Sequence, residues 1–297
     1  MAVSGRAVSR ESETSRGRLE IDHATLAGPD LATMRSRFAE LGLATEYGGP
    51  HSNGVTHMAL LGFDDGSYLE LISTLEPRSQ SPLWNAQIQD GAGPAAWAVR
   101  ADDLPQEQTR LARAGFAPRG PALMTRTRPD GTALAWDLLF PRDEPPGATL
   151  PFAICDRTPR ERRVAPSPSV TGSGFGGIAA VILGVASIDA TAKLFQAAYG
   201  LEHPAVAVHP ALDVRLARFW CGPVVLAEPL AGSAWLSERI ARYGDSPAAV
   251  LLACSPTARI RSRLPLLAAE DWFGDRLTWI DPDRLFGWRV GLLSRTA

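Results

Sequence analysis

The chain has 297 residues, 45% of them hydrophobic and 21% charged, which is enough to bury a sizeable core as one large domain or two smaller ones. The formal net charge of -2, without a cluster of Lys and Arg among aromatic residues, argues against nucleic acid and acidic membranes as partners. No apolar run approaches the roughly 20 residues that span a bilayer. The N-terminus shows no apolar signal segment, so we expect a cytoplasmic protein. The three cysteines are widely spaced, which predicts buried free thiols.

Two stretches lack the apolar periodicity of a folded element. Residues 1–17 are small, polar and charged, which predicts a disordered tail. Residues 159–177 are rich in Pro, Ser, Gly and Arg, which predicts a linker. The expected domains are therefore 18–158 and 178–297.

The first half contains two similar modules. In the first module, segment 18–28 predicts a strand, and Asp30 predicts the N-cap of a helix that ends at Gly42. Segments 56–63 and 67–73 predict two further strands, joined by a turn.

The second module follows the same order. Segment 95–101 predicts a strand and 103–115 a helix. Segments 122–128 and 133–140 predict a hairpin around a Pro-Asp-Gly turn.

The second half repeats the pattern of the first. Ile178 and Phe195 stand 157 residues after Ile21 and Phe38, so we expect a strand and then a helix there. We therefore expect two further modules after the linker.

The closing strands predicted for the two halves also have similar sequences. Segment 134–140 resembles 286–293, which aligns Asp137 with Arg289. Within the repeat, Glu70 has only an approximate counterpart in Glu228.

The segment 21–76 carries a series of short motifs in order: DH at 22–23, DL at 30–31, FAELG at 38–42, GGPH at 48–51, VTHM at 55–58 and YLEL at 68–71. In this order they resemble the glyoxalase-like domain of the vicinal-oxygen-chelate superfamily. The resemblance runs from about Ile21 to Asp156, and the second half resembles the domain as a diverged copy. Val55 and Met58 depart from the family's G-T-H-N motif.

The resemblance implies an α+β fold of tandem strand-helix-strand-strand-strand modules, paired into two open cup-shaped sheets. It places the site on the concave surface of a sheet, where a small-molecule substrate or ligand binds. A monomer or a homodimer is compatible with this fold.

The resemblance also implies metal ligands. His23 on the first strand and Glu70 on the last strand of the module occupy the positions that hold a divalent ion in metal-using relatives. An imidazole and a carboxylate suit zinc, nickel, iron or manganese. Each residue also has an explanation without a metal. His23 could be a hydrogen-bonded core histidine, and the buried Glu70 could form an ion pair with Arg126 or Arg128.

Four further residues are candidates for the site. We expect His57 to assist Glu70 in catalysis and His51 to bind substrate from a loop; a strand-edge hydrogen bond and a solvated loop residue are the alternatives. Asp137, as the counterpart of Glu70, is a second substrate-binding candidate, although a salt bridge is the first explanation for it. Trp97 stands where a second first-strand histidine is expected, which implies an aromatic wall of the site instead.

With these residues, the resemblance implies a small-molecule enzyme of the vicinal-oxygen-chelate type, a lyase or isomerase with an enolate-like intermediate, for which a divalent metal is one option. The alternative is a metal-free binding or sequestering protein. A ring-cleaving dioxygenase is a weaker third possibility, because its second strand histidine is not found at the aligned position.

Overall fold

The computed structural model describes residues 19–295, so the predicted tail 1–17 lies outside the described residues. The first half contains strands β1 (Ile21–Ala27), β2 (Glu46–Pro50), β3 (Thr56–Gly62), β4 (Tyr68–Thr74), β5 (Gly93–Arg100), β6 (Arg119–Thr127), β7 (Ala133–Phe140) and β8 (Phe152–Asp156). Its helices are α1 (Leu31–Glu40), α2 (Asn85–Asp90) and α3 (Leu104–Arg113), and α4 (Arg160–Arg163) follows β8.

The second half contains strands β9 (Phe175–Gly184), β10 (Ala205–His209), β11 (Val214–Arg218), β12 (Val224–Pro229), β13 (Ser246–Cys254), β14 (Glu270–Trp272), β15 (Asp275–Trp279) and β16 (Arg289–Ser294). Its α-helices are α5 (Ile188–Tyr199) and α6 (Ala234–Tyr243), and short 3-10 helices span Arg259–Ser262 and Pro282–Arg284.

Each half forms one curled eight-stranded sheet. The strand order is β2-β3-β4-β1-β5-β8-β7-β6 in the first sheet and β10-β11-β12-β9-β13-β16-β15-β14 in the second. Two modules meet side by side in each sheet, where β1 runs antiparallel to β5 and β9 antiparallel to β13. The predicted α+β class and the two cup-shaped sheets are confirmed.

The first helix shows why the local predictions succeed. The Asp30 carboxylate accepts a hydrogen bond from the Ala32 backbone N–H at 2.9 Å and thereby caps α1. Leu31, Met34 and Phe38 form its buried stripe, and Gly42, at φ +75°, lies just beyond its end. In the second half, β9 and α5 form the strand and helix that the sequence repeat predicts.

The strand order corrects two of the expected alignments. Asp137 lies on β7, the third strand of its module, whereas Arg289 lies on β16, a fourth strand, so that alignment is wrong. Glu70 lies opposite Thr25 on β1, and the corresponding place on β12, opposite Ile182, is Val225. Glu228 is therefore not the counterpart of Glu70, because the pairing register places it three residues further along.

The segment predicted as a linker is packed against the first sheet. It carries α4, whose Arg163 is buried, and its Ser167 hydroxyl accepts a hydrogen bond from the backbone N–H of Gly62 at 3.0 Å. Strand β9 begins at Phe175, before the expected start at residue 178. The division into domains at this segment stays a prediction.

The two sheets differ in what occupies their concave faces. Ala180, Ile182 and Val225 belong to a buried apolar cluster that includes Trp272 and Trp279. The corresponding face of the first sheet is partly open. A cavity of about 200 Å³ also borders this cluster, but the candidate side chains His23, His51 and Glu70 line the cavity of the first sheet, which is therefore the candidate site.

Two expectations from composition are tested directly. No helix within residues 19–295 is both long enough and apolar enough to cross a bilayer. The three cysteines are free, and Cys254 is buried, but Cys221 is exposed, so the expectation of buried thiols is wrong at that position.

Candidate active site

The concave face of the first sheet encloses a cavity of about 140 Å³. Its polar lining includes His23, His51, Glu70, Arg126 and Arg163. Its apolar walls are Met58, Leu60, Ile72, Leu83, Trp84, Met124, Trp136, Leu138, Phe152 and Ile154. The cavity therefore combines a small cluster of charged and imidazole groups with a largely apolar enclosure, as ligand sites commonly do.

His23 is held in place on three sides. Its Nδ1 lies 2.7 Å from an oxygen of Asp22, and its ring stacks on Tyr68 with the ring centres 4.7 Å apart. The edge of Phe152 packs against it at 5.5 Å. The ring orientation leaves Nε2 directed toward Glu70, whose nearest oxygen is 4.0 Å away.

Asp22 behind His23 is ionised. Burial alone would raise the pKa of this carboxyl, but the positive charge of Arg163 and the hydrogen bonds from His23 and Arg163 hold the pKa well below its ordinary value. Arg163 donates to both oxygens of Asp22, at 3.1 and 2.9 Å, and Arg160 also pairs with it. Because a carboxylate only accepts, His23 donates its Nδ1–H to Asp22, and Nε2 is the ring nitrogen that faces Glu70.

Glu70 has hydrogen bonds at both of its oxygens. Oε2 accepts from the Thr25 hydroxyl at 2.9 Å, and Oε1 lies 3.3 Å from Nε2 of His51. Burial alone would raise the pKa of Glu70, but the hydrogen bond and charge of His51, with smaller contributions from His23 and Thr25, lower it to about 2. No arginine among residues 19–295 lies within ion-pair distance of Glu70, so the alternative of an ion pair with Arg126 or Arg128 is wrong.

His51 reaches the cavity from the loop after β2. Its Nδ1 lies 2.8 Å from the Thr56 hydroxyl, and Asn53 donates to the same hydroxyl at 3.0 Å. These contacts fix the orientation of the His51 ring, so that its Nε2 faces Glu70. The structure thus brings together His23, His51 and Glu70 of the residues that the sequence predicted.

Three other predicted residues lie outside the cavity, because side chains alternate across a strand. Trp97 pairs with Ala24, the neighbour of His23, and therefore points to the opposite side of the sheet, where it is fully buried in the core. Asp137 lies between two cavity-lining residues of β7 and bonds with Arg157 at 2.5 Å, which is the salt bridge expected first.

His57 is the third of these residues. Its neighbours Thr56 and Met58 line the cavity, whereas His57 lies near Tyr47, with its Nδ1 3.4 Å from the tyrosine hydroxyl. Burial, and then the charge of His51, lower the pKa of His57. The structure does not place this imidazole in contact with Glu70.

The donors present do not fit the metal centre that the resemblance implies. In the second module, Ala98 pairs with His23 and Ala96 with Thr25, and β8 presents Phe152 and Ile154 to the cavity. Both oxygens of Glu70 are already engaged by neighbouring side chains. Within residues 19–295, no group of three or more His, Cys, Asp or Glu side chains is arranged to hold an ion.

Sequence reasoning missed two residues at the site. Arg163 is 141 residues from Asp22 along the chain and lies in a segment with the composition of a linker. Arg126 was considered only as an ion-pair partner of Glu70, and it lines the cavity instead. Asp22 was noted as part of a motif, but no pattern in the sequence shows its contact with Arg163.

The comparisons with known proteins agree with this fold. The structure is similar to a hypothetical protein from Staphylococcus aureus, with 14% identity and a TM-score of 0.61, over 93% of this chain and 99% of that chain. It is also similar to a mutant 4-hydroxymandelate synthase from Streptomyces coelicolor, with 15% identity and a TM-score of 0.60, over 94% and 93% of the two chains. A xylose isomerase-like TIM barrel/4-hydroxyphenylpyruvate dioxygenase fusion protein gives 14% identity and a TM-score of 0.56, over 95% of this chain and 49% of that chain.

No curated protein matches the chain. The family model for the glyoxalase-like domain matches residues 21–199, which is more than half of the chain. The match covers every strand of the first sheet and continues through β9 and α5. On this match, the chain belongs to the glyoxalase-like domain family.

Proposed function

We propose that the protein is a small-molecule enzyme, an isomerase or lyase, that removes a proton next to a substrate carbonyl group and forms an enolate-like intermediate. The observation that carries the proposal is the arrangement of Asp22, His23 and Glu70 at the cavity. The similarity in fold to a synthase supports an enzyme over a purely structural protein.

His23 is the general base in this proposal. Ionised Asp22 holds the Nδ1–H, which leaves the Nε2 lone pair to take the substrate proton. The imidazolium that forms then lies between two carboxylates, Asp22 at 2.7 Å and Glu70 at 4.0 Å. Both carboxylates stabilise its charge, and the apolar walls strengthen this effect by keeping water away.

Glu70 is the stabilising group rather than the base. With a pKa of about 2 it is ionised throughout the neutral range, and such a weakly basic carboxylate takes up a carbon-bound proton poorly. Its hydrogen bonds from Thr25 and His51 also keep it in one orientation. After the proton is removed, protonated His23 returns it to another carbon or to a leaving group.

The proposal is tested by hydrogen exchange in heavy water. We expect the purified protein to accelerate exchange of the C–H next to the carbonyl in at least one member of a panel of 2-oxo acids and 2-hydroxy ketones, followed by NMR. His23→Ala should lower this rate by about 100-fold or more, because a positioned general base contributes that much.

The control is His203→Ala, which removes an exposed histidine of the second half that contacts Gln196. This variant should keep the full rate, and circular dichroism should show both variants folded. Exchange by His23→Ala at the rate of the unmodified protein would contradict the proposal.

Metal dependence is tested on the same reaction. Because the donors do not fit a metal centre, we expect exchange to persist after dialysis against a chelator. Elemental analysis that finds a stoichiometric transition metal, together with loss of exchange on chelation, would favour the metal-dependent enzyme that the resemblance implies.

A second candidate is a metal-free binding or sequestering protein, and the apolar enclosure favours it. Ten of the lining side chains are apolar, so the cavity can hold an organic molecule without reacting with it. Retention of an organic ligand through purification, without exchange or turnover of any panel member, would support this candidate over the enzyme.

A further inference from the structure

Arg126 is a buried cation without an ionised partner. It lies on β6, is only 5% exposed and lines the cavity. Among the residues that the structure describes, none places a carboxylate within 4.0 Å of its guanidinium, and its buried Nε has no hydrogen-bond partner. A guanidinium does not lose its proton in a protein, so its charge stays in this apolar enclosure.

The other cavity arginine shows the contrast. Arg163 pairs with Asp22 at 2.9 Å and with Asp156 at 2.6 Å, so its charge is neutralised within the fold. Burial lowers the pKa of Arg126, whereas the pKa of Arg163 lies above its ordinary value because its charged partners outweigh the effect of burial. The charge of Glu70 acts on Arg126 only from beyond ion-pair distance, so an anion in the cavity would supply the direct partner that the guanidinium lacks.

Gly48 fixes the direction of the Arg126 side chain. The Gly48 carbonyl accepts a hydrogen bond from Nη1 of Arg126. A Cβ at Gly48 would lie 2.8 Å from that nitrogen, closer than side chains tolerate. Glycine at this place in the GGPH motif therefore leaves the room that the guanidinium occupies.

The volume and walls of the cavity limit the rest of the ligand. A dry apolar cavity of about 150 Å³ accommodates a benzene molecule, and this cavity measures about 140 Å³. Trp84, Trp136 and Phe152 line it and offer aromatic faces and edges to a ring. The space therefore matches the size of one six-membered ring.

We infer that the cavity binds a small monocarboxylate with a single apolar ring, whose carboxylate pairs with Arg126 and whose ring packs against Trp84, Trp136 and Phe152. The inference rests on the proposed function only in taking this cavity as the active site. It adds the substrate class, an aromatic or cyclic carboxylic acid, which the arrangement of His23 and Glu70 does not define.

The test compares the binding of benzoate with that of benzamide, its neutral analogue of nearly equal shape, by calorimetry and tryptophan fluorescence. The intact protein should bind benzoate about tenfold or more tightly than benzamide, as expected for a buried charge-assisted hydrogen bond. It should bind 2-naphthoate more weakly than benzoate. Arg126→Gln should bind benzoate and benzamide equally.

Arg128→Gln is the matched control, since Arg128 lies on the same hairpin, pairs with Asp130 and lies outside the cavity. It should keep the preference for benzoate. Gly48→Ala keeps the charge but displaces the guanidinium, so it should also weaken benzoate binding, which covers the case in which Arg126→Gln fails to fold.

Equal affinity of the intact protein for benzoate and benzamide would overturn the inference, as would lack of saturable benzoate binding or a preference that survives Arg126→Gln. His23→Ala separates the two proposals. It should lose hydrogen exchange and keep the benzoate preference, so failure of the catalytic proposal leaves the binding result intact, and the reverse also holds.

Discussion

The sequence indicates that the buried Glu70 needs a partner, but it does not identify that partner. The place of Glu70 between two leucines on a buried strand demands a partner, because an unpaired carboxylate in such a place is costly. Sequence could name an ion, an arginine or a proton as that partner. The partners are Thr25 and His51, which approach from the neighbouring strand and from a loop.

This environment predicts a specific acid sensitivity. The pKa of Glu70 is about 2 in the folded chain against an ordinary value of 4.5, so its contribution to stability is full above pH 4.5 and is lost as the pH falls from 4.5 toward 2. This contribution of Glu70 to the free energy of unfolding is about 3 kcal/mol. Urea unfolding across that window should show a steeper loss of unfolding free energy for the unmodified protein than for Glu70→Gln. Parallel curves would contradict the low pKa.

His57 provides a second test at the scale of one residue. Because it faces away from the cavity, His57→Ala should leave hydrogen exchange within about twofold of the unmodified rate, in contrast to the expectation from sequence. Measuring the exchange rates of this variant and of His23→Ala side by side tests whether His57 takes part in catalysis. A loss in His57→Ala comparable to that of His23→Ala would restore a catalytic role for His57.

At the scale of elements, the short helix α4 completes the site. It lies in the segment whose composition predicted a linker, yet Arg160 and Arg163 reach from it to Asp22. Arg163 also donates to the Tyr68 hydroxyl at 2.8 Å, and Tyr68 stacks on His23. One turn of helix therefore supports both the carboxylate behind the base and the ring beside it.

Arg163→Met should destabilise the protein by about 3 kcal/mol or more, because it leaves the buried Asp22 short of a partner. Adding Asp22→Asn to that variant should recover part of the loss, a coupling that a double-mutant cycle in urea measures. The exposed Arg162 next to it supplies the control, and Arg162→Met should change stability little. Additive effects of the Asp22 and Arg163 changes would contradict the role assigned to α4.

At the scale of the whole molecule, the two halves share one core. Trp97 of the first half packs against Phe195 of the second, with ring centres 6.2 Å apart. Arg239 on α6 donates to the backbone carbonyl of Ala92, and the Trp288 indole donates to that of Gly91 at 2.7 Å. Burial lowers the pKa of Arg239 to about 10, in keeping with an enclosed position between the halves.

The shared core predicts that the halves unfold together. Phe195→Ala should lower the unfolding free energy by about 3–5 kcal/mol in a single transition, seen alike by tryptophan fluorescence and circular dichroism. Val206→Ala, at an exposed position of the second half, is the control and should have little effect. Two separate transitions would show that the halves are independent units.

The sequence by itself determined the elements and their order. Capping residues such as Asp30, buried stripes such as that of Phe38, and the spacing between Ile21 and Ile178 are local or periodic signals, so they predict helices and strands directly. The motif order indicated the family, and the family placed His23 and Glu70 on one face. These predictions succeed because each depends on neighbours within a few residues or on a pattern repeated at fixed distance.

Only the tertiary structure decided which side chains meet. Trp97 and Asp137 were assigned to the cavity, but a shift of one residue in a strand moves a side chain to the other face, and strand pairing sets that position. The contact between Asp22 and Arg163 spans 141 residues and leaves no local pattern. Long-range pairing, register and packing are set only in the assembled sheet. The sequence alone therefore does not show which side chains line the cavity.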